Sequence, residues 1–259
     1  MSGAPLADDA RDGARLQPAD RRVALVTGAN RGIGFEIARQ LGHLGFTMLV
    51  GARDPTRGAD AVRRLAADGV DGEVVALDVT SESSIAAAAA SVARRHGRLD
   101  VLVNNAGVAL DRAMRPSEVP PAVLRATYEI NVFGPVAVIQ AFLPLLRRAP
   151  AARIVNVSSE LASLAQNRNP DFEFAHVKLL AYNSSKTALN AVTVQFAHEL
   201  RDTPIKVNAA DPGYTATDFN AFAGTQCVQE GARTPVRLAL LPDDGPSGGY
   251  FGPEGPLPW

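Results

Sequence analysis

The sequence predicts a doubly wound α/β fold, a parallel sheet covered by helices on both faces, and two observations carry that prediction. Short apolar runs recur along the chain, separated by longer stretches whose apolar residues return at helical spacing. The runs are apolar throughout instead of alternating with polar residues, which is the pattern of strands buried on both faces.

Taken in order, Val23 to Val26 is the first run and ends in a glycine-rich turn, after which Ile33, Ile37, Ala38 and Leu41 mark a helix. Thr47 to Gly51 reads as a strand, Asp60 to Ala67 as a helix, Glu73 to Leu77 as a strand and Ser81 to His96 as an alanine-rich helix, with Thr80 its expected cap. Leu99 to Val103 continues the sheet. A helical stretch then runs from about Ala122 to Arg147, followed by the strand Arg153 to Val157, the long helix Tyr182 to Leu200 and the strand Ile205 to Ala209. Sheets of this kind bind ligands beyond the carboxyl ends of their strands, so the residues just after each strand are the ones to search.

Length and composition narrow the function classes. With 259 residues and 46% hydrophobic content, residues 23–259 suffice for one domain around a shared core. Residues 1–22 carry Asp8, Asp9, Asp12 and Asp20 among Ala, Gly and Pro, with no signal-peptide core, and are expected to be a disordered extension. A net charge of −1 and a pI near 6.4 give no field for nucleic acid or an anionic membrane. Arg, Asp or Gly is expected to break every apolar run before it reaches bilayer length. Cys227 is the single cysteine, which excludes an intrachain disulfide, leaves a bystander thiol and fits a reducing, cytoplasmic setting. His43, His96, His176 and His198 are scattered without metal-ligand spacing, so no metal is expected.

The chemistry lies in two places. The turn Thr27-Gly28-Ala29-Asn30-Arg31-Gly32-Ile33-Gly34 sets glycines where backbone turns sharply, approaches a pyrophosphate and packs on the sheet, and the helix it opens offers unpaired N–H groups to phosphate. Tyr182 and Lys186, four residues apart, fall on one face of a helix, with Ser159 just after a strand and Asn131 inside the preceding helical stretch.

The TGxxxGxG spacing resembles the short-chain dehydrogenase/reductase superfamily, in its compact single-domain branch, and the resemblance runs from about Val23 onward. It implies a Rossmann-type fold and places Gly28, Gly32 and Gly34, with Asn30, Arg31 and Ile33 around them, under the adenosine phosphates. Asp78, followed by Val79, matches the adenine-contacting acid, and Asn104-Asn105-Ala106-Gly107 matches the signature after the fourth strand. Pro212-Gly213-Tyr214-Thr215-Ala216-Thr217 resembles the segment that fixes the nicotinamide carboxamide, with Thr215 and Thr217 as contacts and Thr217 the best side-chain match. The position of the usual NAD-selecting acid aligns with Ala52, while Arg31 and Arg53 can bind a 2′-phosphate, so NADPH/NADP+ is expected over NADH. Asp54 is the competing ribose contact, although before Pro55 it is also a natural helix start.

Asn131, Ser159, Tyr182 and Lys186 match the family's catalytic set. A free tyrosine titrates near ~10. Lys186, alongside the positive nicotinamide of the oxidised cofactor, is therefore expected to favour the Tyr182 phenolate, and Ser159 to hold the carbonyl oxygen. The resemblance further implies that Lys186 binds the nicotinamide ribose and that Asn131 bends its helix and holds a water linking Lys186 to solvent. Ser158 competes with Ser159, since adjacent strand-end residues face opposite ways. The chain from Asn167 to Phe174 is longer than the family's and is expected to overhang the substrate side, while Phe219 and Phe222 read either as a lid or as core. The segments Glu230 to Pro242 and Gly249 to Trp259 resemble the carbonyl-reductase group, which implies NADPH-dependent reduction of a small-molecule ketone or aldehyde. An alcohol dehydrogenase working oxidatively, and a cofactor-binding regulator without turnover, are the competing functions. Members of the superfamily assemble as homodimers or homotetramers through the tyrosine-bearing helix, a face that the long segment before Tyr182 could block.

Overall fold

The computed structural model describes residues 21–259; all of the expected 1–22 extension except Arg21 and Arg22 lies outside the described residues. The chain runs β1 (Val23–Thr27), α1 (Gly32–His43), β2 (Thr47–Ala52), α2 (Pro55–Ala67), β3 (Gly72–Ala76), α3 (Glu82–His96), β4 (Val101–Asn104), α4 (Pro121–Tyr128) and α5 (Gly134–Leu146). It continues through β5 (Arg153–Val157), α6 (Leu164–Arg168), α7 (Leu180–Glu199), β6 (Lys206–Ala210), α8 (Val228–Gly231), α9 (Arg233–Ala239), β7 (Tyr250–Gly252) and β8 (Gly255–Pro256).

The sheet has the order β3-β2-β1-β4-β5-β6-β7-β8 and is parallel except for the β7–β8 pair. Passing from β3 to β4 the chain crosses over β2 and β1, which places the topological switch point between β1 and β4. Side chains alternate across the sheet, so each strand feeds two cores. Leu25, Leu49, Leu102 and Ile154 face Val92, Val138, Phe142 and Leu200. Val26, Val50, Val103 and Val155 face Ile37, Leu41, Leu65 and Val236 on the other side. Phe142 is completely buried, and truncating such a residue to alanine costs ~3–5 kcal/mol.

Three local expectations change. The second helix begins at Pro55, not Asp60: Asp54 caps it, accepting from the Thr56 and Arg57 N–H groups, and Pro55 has no N–H to leave unpaired. The cap of α3 is Ser81, which accepts from the Ser84 N–H, whereas Thr80 donates its N–H and hydroxyl to Asp78. The helix expected from Ala122 to Arg147 is two helices joined by a π-turn, Glu129–Phe133, in which the Gly134 N–H reaches the Glu129 carbonyl. Pro135 has no N–H for the turn before it, which favours such a local rearrangement.

That same stretch, Pro121–Leu146, is long and apolar enough to cross a membrane, with a mean hydropathy of 1.6, contrary to the expectation that charges and glycines break every such run. Its apolarity has a use in the fold, because Val138, Ile139, Phe142, Leu145 and Leu146 are buried in the core beside α3 and β4.

Candidate active site

A cleft of about 640 Å³ opens above the carboxyl ends of the strands, from the glycine turn at one end to the segment before α7 at the other. The turn after β1 forms its floor. Gly28 and Gly32 have φ of +65° and +58°, a region costly for residues with a Cβ. Gly34 is required for a different reason: a Cβ there would overlap the Asn105 amide and stand 2.8 Å from the Gly28 carbonyl oxygen. Asn105 uses that amide to hold the turn, donating to the Thr27 carbonyl at 2.9 Å, while the Thr27 hydroxyl accepts the Asn105 and Ala106 N–H groups at 3.0 Å each.

The N-cap of α1, Arg31, makes no side-chain capping bond, so the first N–H groups of the helix are left for a ligand. A cradle that admits no Cβ and a free helix start fit the pyrophosphate of a dinucleotide. Asn30, Ile33, Asp78, Val79 and Gly107 also line the cleft. Asp78 is fixed by its bonds with Thr80, its N–H donating to the Ser84 hydroxyl, and Val79 packs where Gly134 lacks a side chain.

At the end of the cleft beside β2 Arg53 is exposed and lines the wall, and so does Arg57 in the first turn of α2, which sequence reasoning missed. Arg31 lines the cleft too and is ion-paired with Asp218 at 3.0 Å. Asp54 spends one carboxylate oxygen on the α2 cap. Ala52 is buried and brings no charge.

The helix α7 brings Tyr182 and Lys186 to the opposite wall, both almost fully buried. The Tyr182 hydroxyl faces the Ser159 side chain, just past the end of β5, and both line the cleft. Ser158 points elsewhere, its hydroxyl donating to Asn190 at 2.6 Å. Burial pushes the Tyr182 hydroxyl up to about 12, against the opposing pull of the Ser159 hydroxyl and the Arg112 charge and with a further push from Asp211. The expected lowering is that of Lys186 together with a positive nicotinamide, and Lys186 alone does not give it. Lys186 donates to the Val157 carbonyl at 2.7 Å and is itself brought down to about 8 by burial. Asn131 sits in the π-turn, its amide bridging the Val108 N–H (2.9 Å), the Val108 carbonyl (2.8 Å) and the Ser185 hydroxyl (3.0 Å). A Cβ on Gly107 would lie 3.3 Å from Asn131 Oδ1 and 3.4 Å from Lys186 Nζ, so Gly107 lets the three meet.

The long segment before α7 overhangs the cleft, contributing Glu173, Phe174, His176 and Val177 to its wall. Phe174 meets Phe172 and Tyr214 edge-on at 5.6 and 5.5 Å. Phe219 lies 5.6 Å from the Tyr182 ring with Arg112 4.7 Å from its own, and at 41% exposure it is no core residue; Phe222 is exposed at 65%. Of the two threonines, Thr215 is folded into its own loop, donating to the Pro212 and Gly213 carbonyls, while Thr217 packs on Gly32. All four of Pro212, Gly213, Thr215 and Thr217 line the cleft.

A family model described as short chain dehydrogenase matches residues 22–227. This chain belongs to the short-chain dehydrogenase family. A (+)-neomenthol dehydrogenase from Arabidopsis thaliana is 36% identical over 89% of this chain and 95% of its own length. A carbonyl reductase (NADPH) 1 from Rattus norvegicus is 34% identical over 93% of this chain and 99% of its own. Among solved structures, the NADPH-bound carbonyl reductase from chicken fatty liver matches with a TM-score of 0.81 and 32% identity, covering 92% of this chain and 99% of that one. Within the short-chain dehydrogenases the chain is carbonyl-reductase-like, and the class expected from its motifs, an NAD(P)-dependent short-chain oxidoreductase, stands with that membership.

Proposed function

We propose that this short-chain dehydrogenase reduces the carbonyl of a ketone or aldehyde with NADPH, using Tyr182 as proton donor with Ser159, Lys186 and Asn131 in support. The observation that carries the reading is the Ser159–Tyr182 hydroxyl pair on the wall of a cleft floored by the glycine turn. Bound along that floor, the cofactor supplies hydride to the carbonyl carbon.

The chain's own residues supply the rest. Tyr182, kept protonated by burial, gives its hydroxyl proton to the carbonyl oxygen, so the product is the alcohol. The Ser159 hydroxyl holds the same oxygen as charge develops on it. Lys186 stands behind Tyr182 to return its proton, and Asn131, next to it across Gly107, holds the Val108 backbone in place. Arg53 and Arg57 beside the uncharged Ala52 favour a 2′-phosphate, and the rat and chicken relatives named above are NADPH enzymes by name.

The test is a panel of ketones and aldehydes with purified protein, read by loss of reduced-nicotinamide absorbance. Tyr182→Phe should lower kcat by ~10²–10⁴ while NADPH still binds. Full turnover in that variant would refute Tyr182 as donor, and a wild-type preference for NADH would refute the cofactor choice.

A further inference from the structure

The strand that delivers Ser159 stops fixing the backbone one residue too early. The ladder between β5 and β6 ends at Val157 paired with Ala210, and the Ser158 N–H makes the final bond, to the Ala210 carbonyl at 2.7 Å. Ser159 is thus the first residue whose orientation the sheet does not set. Its hydroxyl accepts from the Leu161 N–H at 3.3 Å and lies beside the Tyr182 hydroxyl. Where it points depends on the peptide that follows it.

We infer that Tyr250 and Asp211 are positioning residues that clamp the Ser159–Glu160 peptide from both sides and so aim the serine hydroxyl. The Tyr250 hydroxyl donates to the Ser159 carbonyl, and Asp211 Oδ1 accepts the Glu160 N–H at 3.0 Å. Both side chains are nearly inaccessible, Tyr250 at 2% and Asp211 at 3%, so each holds its partner without competition from bulk water. They come from neighbouring strands locked together: Ala209 pairs with Tyr250, and the Asp211 N–H donates to the Phe251 carbonyl at 2.7 Å.

The Tyr250 ring is pinned as well. It stacks on Trp259 at 5.4 Å, and the Trp259 carbonyl accepts the Ala165 N–H at 3.1 Å, tying the ring to the segment just after Ser159. Neither Tyr250 nor Asp211 needs to touch the substrate for this. Both act through Ser159, and the inference rests on the proposed role of that serine in carbonyl reduction.

Tyr250→Phe removes the one hydroxyl and keeps the stacked ring, so it should fold as the parent does. Its kcat should fall about 10- to 100-fold, as a small misplacement of a catalytic group does, with NADPH affinity unchanged. Asp211→Asn keeps an acceptor oxygen and should retain most activity, whereas Asp211→Ala should lose it. The deciding measurement is the double-mutant cycle: in a Ser159→Ala background, Tyr250→Phe should have no further effect on kcat. An equal fold-loss in both backgrounds, or full activity of Tyr250→Phe beside a slow Ser159→Ala, overturns the clamp alone. A Ser159→Ala enzyme at the parent rate overturns the serine's role, and the clamp falls with it.

Discussion

Replacing Gly34 by alanine tests the glycine turn with a single methyl group. That methyl would overlap the Asn105 amide and stand 2.8 Å from the Gly28 carbonyl oxygen, a backbone atom in a turn already held at positive φ. If Asn105 gives way, it surrenders its 2.9 Å bond to Thr27, and a largely enclosed donor left unpaired costs ~1–3 kcal/mol. Crowding against the Gly28 carbonyl adds ~1–3 kcal/mol of overpacking. A total of ~2–6 kcal/mol, at ~2–4 °C per kcal/mol for a chain of this size, lowers Tm by ~4–24 °C. Because the displaced backbone is the proposed pyrophosphate cradle, the NADPH Kd should also rise, by about tenfold or more. Thermal unfolding followed by circular dichroism and a fluorescence titration with NADPH give both numbers. Gly45→Ala is the control: it has φ of +86° but nothing within 4 Å of a new Cβ, so it should cost only ~1–2 kcal/mol of backbone strain and leave the Kd alone. A Gly34→Ala protein with parental Tm and Kd would refute the packing argument.

Three further outcomes are expected. Removing both Arg53 and Arg57 should raise the NADPH KM by about tenfold or more while leaving the NADH KM unchanged, since only NADPH carries the 2′-phosphate. Asp54→Ala should cost ~1 kcal/mol of stability through the lost α2 cap, and an unaltered NADPH-to-NADH ratio would show that its carboxylate serves the helix and not the ribose. Burial mainly pushes the Asp211 carboxyl up to about 6 from 3.8, so the folded chain holds the extra proton between those values. Its contribution to stability is full below the lower value and is lost as pH rises through the upper one. Asp211→Asn, neutral throughout, should therefore melt later than the parent near neutrality by roughly 3 kcal/mol, the gap closing as the pH falls toward about 4; equal melting at both pH values would contradict the shift.

The core strands were legible because burial on both faces leaves a continuous apolar run, and β1 through β6 fall within a residue or two of their expected places. The first turn of α2 was not, since Pro55-Thr56-Arg57-Gly58 has no apolar periodicity; Gly58 is there because a Cβ would stand 2.8 Å from Val74 on β3. The pieces α8, α9, β7 and β8 are short and punctuated by Pro and Gly. They are held by distant partners, such as Arg153 donating to the Leu241 carbonyl and Arg237 to that of Gly252. In the site, the local signals could be read: the glycine spacing, the Tyr182-to-Lys186 step and Ser159 after its strand. Arg57 was missed because the first turn of α2, which carries it, was itself not legible. Asp211 and Tyr250 carried no signal, because their meeting with Ser159 depends on strand order. Neither the depth of burial of Tyr182 nor the Val157 carbonyl that engages Lys186 is written in local spacing.

The crossover between β3 and β4 also bears on how the chain acquires its geometry. The strands β1, β2 and β3 pair with near neighbours in sequence, but the cleft floor needs β1 to find β4, with Val26 beside Val103, and the far wall needs β5, β6 and β7 in turn. Such distant pairings close large loops before any contact rewards them, so they form slowly. A nascent chain that has released its glycine turn, Ser159 and even Tyr182 therefore still holds a motif without a site. Competence for turnover should appear late in refolding, after most of the helical signal has returned.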